Sequence, residues 1–243
     1  MSKELQDQVA IVTGGSRGYG MGMAEALVNA GAKVWITGRN QERLMDTAAK
    51  IGAKAFVADV ADGAAWDRLM EEVMADSGRL DILVNNAGEG VNIAPTCELS
   101  DDVIERSIAS NLTGALLGCR RAAGVMIGQK NGLIVNIGSV CAKHAWAEWG
   151  IYSAAKAGLL QFTRSLLIEM RPHGVRVTSI LPSWGQTEFT EAAGLDARDA
   201  DVSDLCIAPA DMGNLLVDIA CRPSHLVTEE VTVWPTVQPM TQL

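Results

Sequence analysis

The chain has few histidines, no paired cysteines and no long hydrophobic run, and each lack removes a class of function. Its three histidines, His144, His173 and His225, show no ligand spacing, and the five cysteines at 97, 119, 141, 206 and 221 contain no C-x-x-C pair. No metal site and no dithiol redox centre is therefore expected. The scattered, odd-numbered thiols read as buried groups in a reducing compartment. No apolar run reaches the roughly 18 residues that span a bilayer, and the opening MSKELQDQVAIVTGG does not follow the pattern of a secretory signal. A soluble, cytoplasmic protein is the expectation, with no membrane partner. Positive charge is also scarce, with 20 Lys and Arg against 29 Asp and Glu. The net charge of −9 repels phosphate backbones, so no nucleic acid is expected to bind. An anionic cofactor would need local cations and helix termini to overcome that background.

What is present is a regular alternation. Hydrophobic residues make up 48% of the 243, enough for a sizeable core, and no linker or internal repeat divides them. Strands are expected at Gln8–Thr13, Lys33–Thr37, Ala53–Ala58 and Leu80–Val84, with helices at Met21–Ala30, Gln41–Ile51 and Gly63–Ser77 between them. A helical stretch from about Asp101 to Gln129 then precedes a strand at Leu133–Ile137, and a helix at Tyr152–Met170 precedes one at Val175–Ile180. The remainder reads as a short helix near Thr187–Ala193, another at Pro209–Ala220 and a strand at Val227–Val233. Strands alternating with helices imply parallel βαβ crossovers. The fold class is thus α/β: a single Rossmann-type, doubly wound domain over residues 1–243 with a seven-stranded, mostly parallel sheet. The polar segment 183–207, which follows a strand end, is the candidate substrate lid.

Chemistry should gather at the carboxyl edge of such a sheet. The run Gly14-Gly15-Ser16-Arg17-Gly18-Tyr19-Gly20 joins the first strand to the first helix, where free N–H groups and the helix dipole favour a pyrophosphate. At the end of the second strand, where an acidic residue would contact an adenosine ribose, the chain instead has Arg39, nineteen residues beyond Gly20. Its guanidinium suits a 2′-phosphate, and Arg17 adds a second cation, so the expected cofactor is NADP(H). Asp59, followed by Val60, either hydrogen-bonds an adenine edge or caps a helix. Asn86, Ala87 and Gly88 end the fourth strand, Ser139 follows the fifth, and Tyr152 and Lys156 stand one turn apart on one helix face. A free phenol titrates at about 10, too high for an efficient acid at neutral pH, and a neighbouring ammonium is expected to lower it.

These residues, in this order and with Asn111 between them, resemble the classical short-chain dehydrogenase/reductase family over nearly the whole chain. The resemblance implies that Tyr152 protonates the substrate oxygen, Ser139 hydrogen-bonds it, Lys156 holds the nicotinamide ribose and Asn111 supports a water relay. It also implies cofactor contacts from the segment Pro182 to Thr187 and from Gly14, Ser16, Gly18 and the Asn86–Gly88 turn. The implied activity is hydride transfer between NADP(H) and a small-molecule ketone or secondary alcohol. A 3-oxoacyl thioester reductase, a nucleotide-sugar epimerase and a catalytically silent nucleotide-binding relative remain alternatives. The chain departs from the family pattern at Tyr19, commonly isoleucine, at Ser183, often glycine, and in the ending Val231 to Pro235.

Trp146, Trp149 and Trp184 bracket the expected active site, which favours a largely apolar, aromatic or cyclic substrate. His144 either joins that wall or faces solvent. The helices near Leu112–Gln129 and Tyr152–Met170 carry apolar residues on more than one face, the pattern of a homotetramer or homodimer.

Overall fold

The computed structural model describes residues 4–88, 93–189 and 205–238. Seven strands form one sheet in the order β3-β2-β1-β4-β5-β6-β7: β1 Val9–Thr13, β2 Lys33–Gly38, β3 Lys54–Val57, β4 Ile82–Asn85, β5 Gly132–Ile137, β6 Val175–Pro182 and β7 Glu230–Val233. Every pairing in it is parallel. The central strands read as unbroken apolar runs because both faces of the sheet are covered. Ala10 and Val12 of β1 enter one core with Met23 and Leu27, while Val9 and Ile11 enter the opposite core with Trp66 and Met126. The period of two along a strand thus feeds two helical layers.

The first layer holds α1 Gly18–Asn29, α2 Gln41–Ile51 and α7 Pro209–Ala220; the second holds α3 Gly63–Ser77, α5 Gly114–Gln129 and α6 Gly150–Met170. Local chemistry marks their ends. Asn40 Oδ1 accepts from Arg43 N at 2.9 Å to start α2, and Asp62 Oδ1 accepts from Ala64 N at 2.8 Å to start α3. Gly52 and Gly78 close the same two helices in the left-handed conformation.

The expected single helix over 101–129 is divided. α4 Asp101–Ile108 passes through a π-helical turn, Ala109–Thr113, into α5. β7 is shorter than the expected 227–233, and Leu226 and Val227 before it are exposed. The short helix expected at Thr187–Ala193 and the lid at 183–207 lie partly outside the described residues, which omit 190–204. The described ends of that segment meet in a two-bond ladder: Gln186 N donates to Ile207 O at 2.9 Å and Ile207 N to Trp184 O at 3.0 Å. No helix among the described residues is long and apolar enough to cross a membrane.

Candidate active site

The phosphate end of the site is built by joining β1 to β4. Thr13 Oγ1 accepts from the backbone N of Asn86 and of Ala87, both at 3.0 Å, and donates to Val84 O. Asn86 Nδ2 returns a bond to Thr13 O at 3.0 Å. The turn after β1 is thereby pinned against the Asn86–Gly88 turn. Gly14 has φ +63°, and a Cβ there would sit 2.9 Å from Ala87 Cα, so only glycine fits. Gly20 packs beneath Gly14 O and Asn86, supporting the turn without lining the cleft above it. Arg17 precedes α1 and offers no side-chain cap, which leaves the first N–H groups of that helix for an anion.

Next along the edge, Thr37 to Asn40 at the end of β2 and Ala58 to Val60 after β3 line the same cleft. Arg39 is there, and so is Arg43, which the sequence reading missed because it sits inside α2. Asp59 does not cap α3, a role that falls to Asp62. Its Oδ1 accepts from Ala61 N at 2.9 Å in a turn that faces the cleft.

At the other end stand the reactive groups. Ser139, just past β5, accepts from Cys141 N at 3.2 Å and stands near enough to the Tyr152 phenol to oppose part of the effect of its burial. Tyr152 and Lys156 lie on the first turns of α6, both buried. Lys156 Nζ donates to Ile137 O at 2.9 Å and stands 5.7 Å from the Tyr152 ring centroid. The π turn presents Asn111: its Nδ2 donates to Ser107 O at 3.1 Å, and a Cβ at Gly88 would lie 2.6 Å from its Oδ1 and 3.8 Å from the Lys156 ammonium, which places both beside that glycine.

Electrostatics here differ from the expectation. Burial dominates and pushes the Tyr152 phenol above its ordinary value. Burial also pulls Lys156 down to about 8. The expected lowering of Tyr152 fails because both groups have lost water, and the cost of burying the phenolate outweighs the neighbouring ammonium. A raised phenol is nevertheless held in the protonated form that donation requires.

The wall beyond Tyr152 is aromatic. Trp149 meets the Tyr152 ring edge-on at 5.7 Å and stacks with Phe189 at 6.5 Å, and Phe189 lies 5.5 Å from Tyr152. Trp146 and Trp184 complete the wall, together with Cys141 and Gln238. His144 is displaced from it: its ring packs between Trp146 at 5.9 Å and Trp234 at 5.5 Å, outside the lining. Of the candidate site residues named from the sequence, Gly15, Gly20 and His144 do not line the resulting cleft, a cavity of about 780 Å³. Phe189 and Gln238 were missed, since nothing in their local sequence marks them.

The sheet and this edge define an oxidoreductase of the doubly wound α/β class. The chain belongs to the short-chain dehydrogenase family, whose model matches residues 8–198. It is 34% identical over 238 residues to an uncharacterized oxidoreductase of Staphylococcus saprophyticus, covering 96% of this chain and 99% of that one. It is 37% identical over 204 residues to a sorbitol dehydrogenase of Cereibacter sphaeroides, covering 83% and 78%. Among solved structures, a metagenomic short-chain oxidoreductase in complex with NADP superposes with a TM-score of 0.84 at 32% identity, over 97% of this chain and 100% of the other. The closed form of serine dehydrogenase complexed with NADP+ gives 0.89 at 29%, over 97% and 98%.

Proposed function

We propose that this chain transfers hydride between NADP(H) and a ketone or secondary alcohol, and that its substrates are largely apolar and cyclic or aromatic. The observation that carries this reading is the continuity of one cavity, from the cations Arg17, Arg39 and Arg43 to the Tyr152–Ser139 pair and the aromatic wall. Gly14 and the uncapped start of α1 fit a diphosphate, and the arginines fit a further phosphate on the ribose. Bound NADPH would supply the hydride.

The remaining work falls to the chain. Ser139 donates to the substrate carbonyl oxygen and orients it toward Tyr152. Tyr152 passes its proton to that oxygen as the alcohol forms, and the nearby ammonium of Lys156 stabilises the phenolate left behind. Asn111 holds the path by which water returns the proton. The aromatic wall takes up the rest of the substrate, where each Å² of apolar surface removed from water contributes about 25 cal/mol.

The test is NADPH oxidation on a panel of carbonyl compounds, with sorbitol and NADP+ as the polar competitor. Higher catalytic efficiency on small hydrophilic sugars than on cyclic or aryl ketones would sink the substrate reading. Arg39→Asp should reverse a preference for NADPH that is tenfold or more, since each charge-assisted phosphate contact is worth about 1.5–3 kcal/mol. Equal efficiency of the unaltered protein with NADH would defeat the cofactor reading.

A further inference from the structure

Among the described residues the aromatic wall contains one amide side chain, that of Gln238, and its hydrogen bonds orient it. A turn after β7, closed by Gln238 N donating to Pro235 O at 3.1 Å, carries the chain back over the end of β6. There Gln238 is 7% exposed and lines the cavity. Its Oε1 accepts from the Ser183 hydroxyl at 2.6 Å and from Trp184 N at 3.2 Å. A backbone N–H can only donate, so the amide atom facing Trp184 must be the oxygen, and the –NH2 group is on the other side. Both hydrogen bonds of this side chain are thus taken by Oε1.

Resting on the ketone-reductase reading, we propose that Gln238 Nε2 is a specificity-determining donor that selects cyclic ketones carrying a second oxygen acceptor away from the reacting carbonyl. A donor that a bound substrate shuts off from water and leaves without an acceptor is costly, so a substrate that supplies one is favoured over a hydrocarbon of the same shape. An acceptor oxygen (ether, ester or second carbonyl) would meet it. A purely apolar ketone would leave it unmet. The contact stands apart from the proton transfer, so it should act on the choice of substrate and leave the chemical step unchanged.

The experiment compares 2-, 3- and 4-methoxycyclohexanone with the corresponding ethylcyclohexanones, which match them in shape but carry no ether oxygen. The unaltered protein should favour at least one methoxy isomer over its ethyl partner by about fivefold to tenfold in kcat/KM, the worth of one net hydrogen bond, expressed mainly in KM. Gln238→Glu, assayed at pH 8, keeps an acceptor for Ser183 and Trp184 but replaces the donor with an anion, and should abolish or reverse the preference. An unchanged melting temperature of that variant would show that the fold is intact. No methoxy preference in the unaltered protein, or the same preference in Gln238→Glu, overturns the role of Gln238 alone. Turnover of no ketone at all overturns this inference together with the reductase reading.

Discussion

At the scale of single residues, the site opposes a cost in stability to a gain in chemistry. Lys156 is charged at neutral pH although buried, and its ammonium is anchored on the carbonyl of Ile137. The ammonium should therefore be a net liability to the folded state of the protein alone. Its folded value of about 8 lies below the ordinary 10.5. Between those values the unfolded chain holds a proton that the folded chain has released, so stability rises with pH across that window. Lys156→Met should accordingly raise the melting temperature at pH 7, by about 1–3 kcal/mol of stability, and lose that advantage above pH 10.5. Thermal melts at pH 7 and pH 11 measure it; a lower melting temperature for the variant at pH 7 would show that the ammonium is stabilised instead. Tyr152→Phe keeps the ring against Trp149 and Phe189 and removes only the acid. It should lower kcat by about 10²–10⁴-fold, the usual share of a general acid, with NADPH affinity nearly unchanged. Retention of more than about a tenth of the rate would exclude the role.

At the scale of elements, the segment after β6 is held against the first turn of α1. A Cβ at Gly185 would overlap the hydroxyl and ring of Tyr19, and one at Gly18 would press on Thr187. Tyr19 is thus matched by a glycine across the cleft. Gly185→Ala should weaken NADPH binding by about tenfold, because the roof over the cleft must lift, and a second change, Tyr19→Ile, should recover most of that loss. Simple additivity of the two changes in a binding titration would show that the contact is incidental. The other element-scale feature, the π turn at Ala109–Thr113, brings Asn111 behind Lys156, where an unbroken helix would turn the later residues by a different angle.

At the scale of the whole molecule, helices α5 and α6 cover the sheet with one face and keep apolar residues on another. Ile168 of α6 is 70% exposed, and Leu117, Val125 and Ile127 of α5 are only partly buried. A helix that is apolar on two sides is expected to have two partners, the sheet and a second copy of the chain. Light scattering at micromolar concentration should give the mass of a dimer or tetramer, and Ile168→Asp should lower it. A monomeric mass for the unaltered protein would remove the argument.

Much of this was written into the chain order. The short apolar runs of β1 and β2, the apolar spacing of α2 and α3 and the caps at Asn40 and Asp62 are local, so the alternating α/β class could be read directly. Tyr152 and Lys156 share a helix face by spacing alone, and Gly14 and Arg39 follow strand ends by rule. Other features depend on distance in sequence. The donors that orient Gln238 lie 55 and 54 residues away, and His144 left the pocket because Trp234, from the far end of the chain, supplied a ring to pack against. The rise of Tyr152 and the fall of Lys156 were likewise invisible in the sequence, since neighbouring charge can be read from spacing but loss of water cannot. The sequence by itself determined the fold class, and it placed the candidate reactive residues at strand ends and on one helix face, because backbone period and helix spacing act over a few residues. Only the tertiary structure decided protonation, the facing of Gly185 on Tyr19 and the membership of the substrate wall, because burial and side-chain contact arise only when distant segments pack.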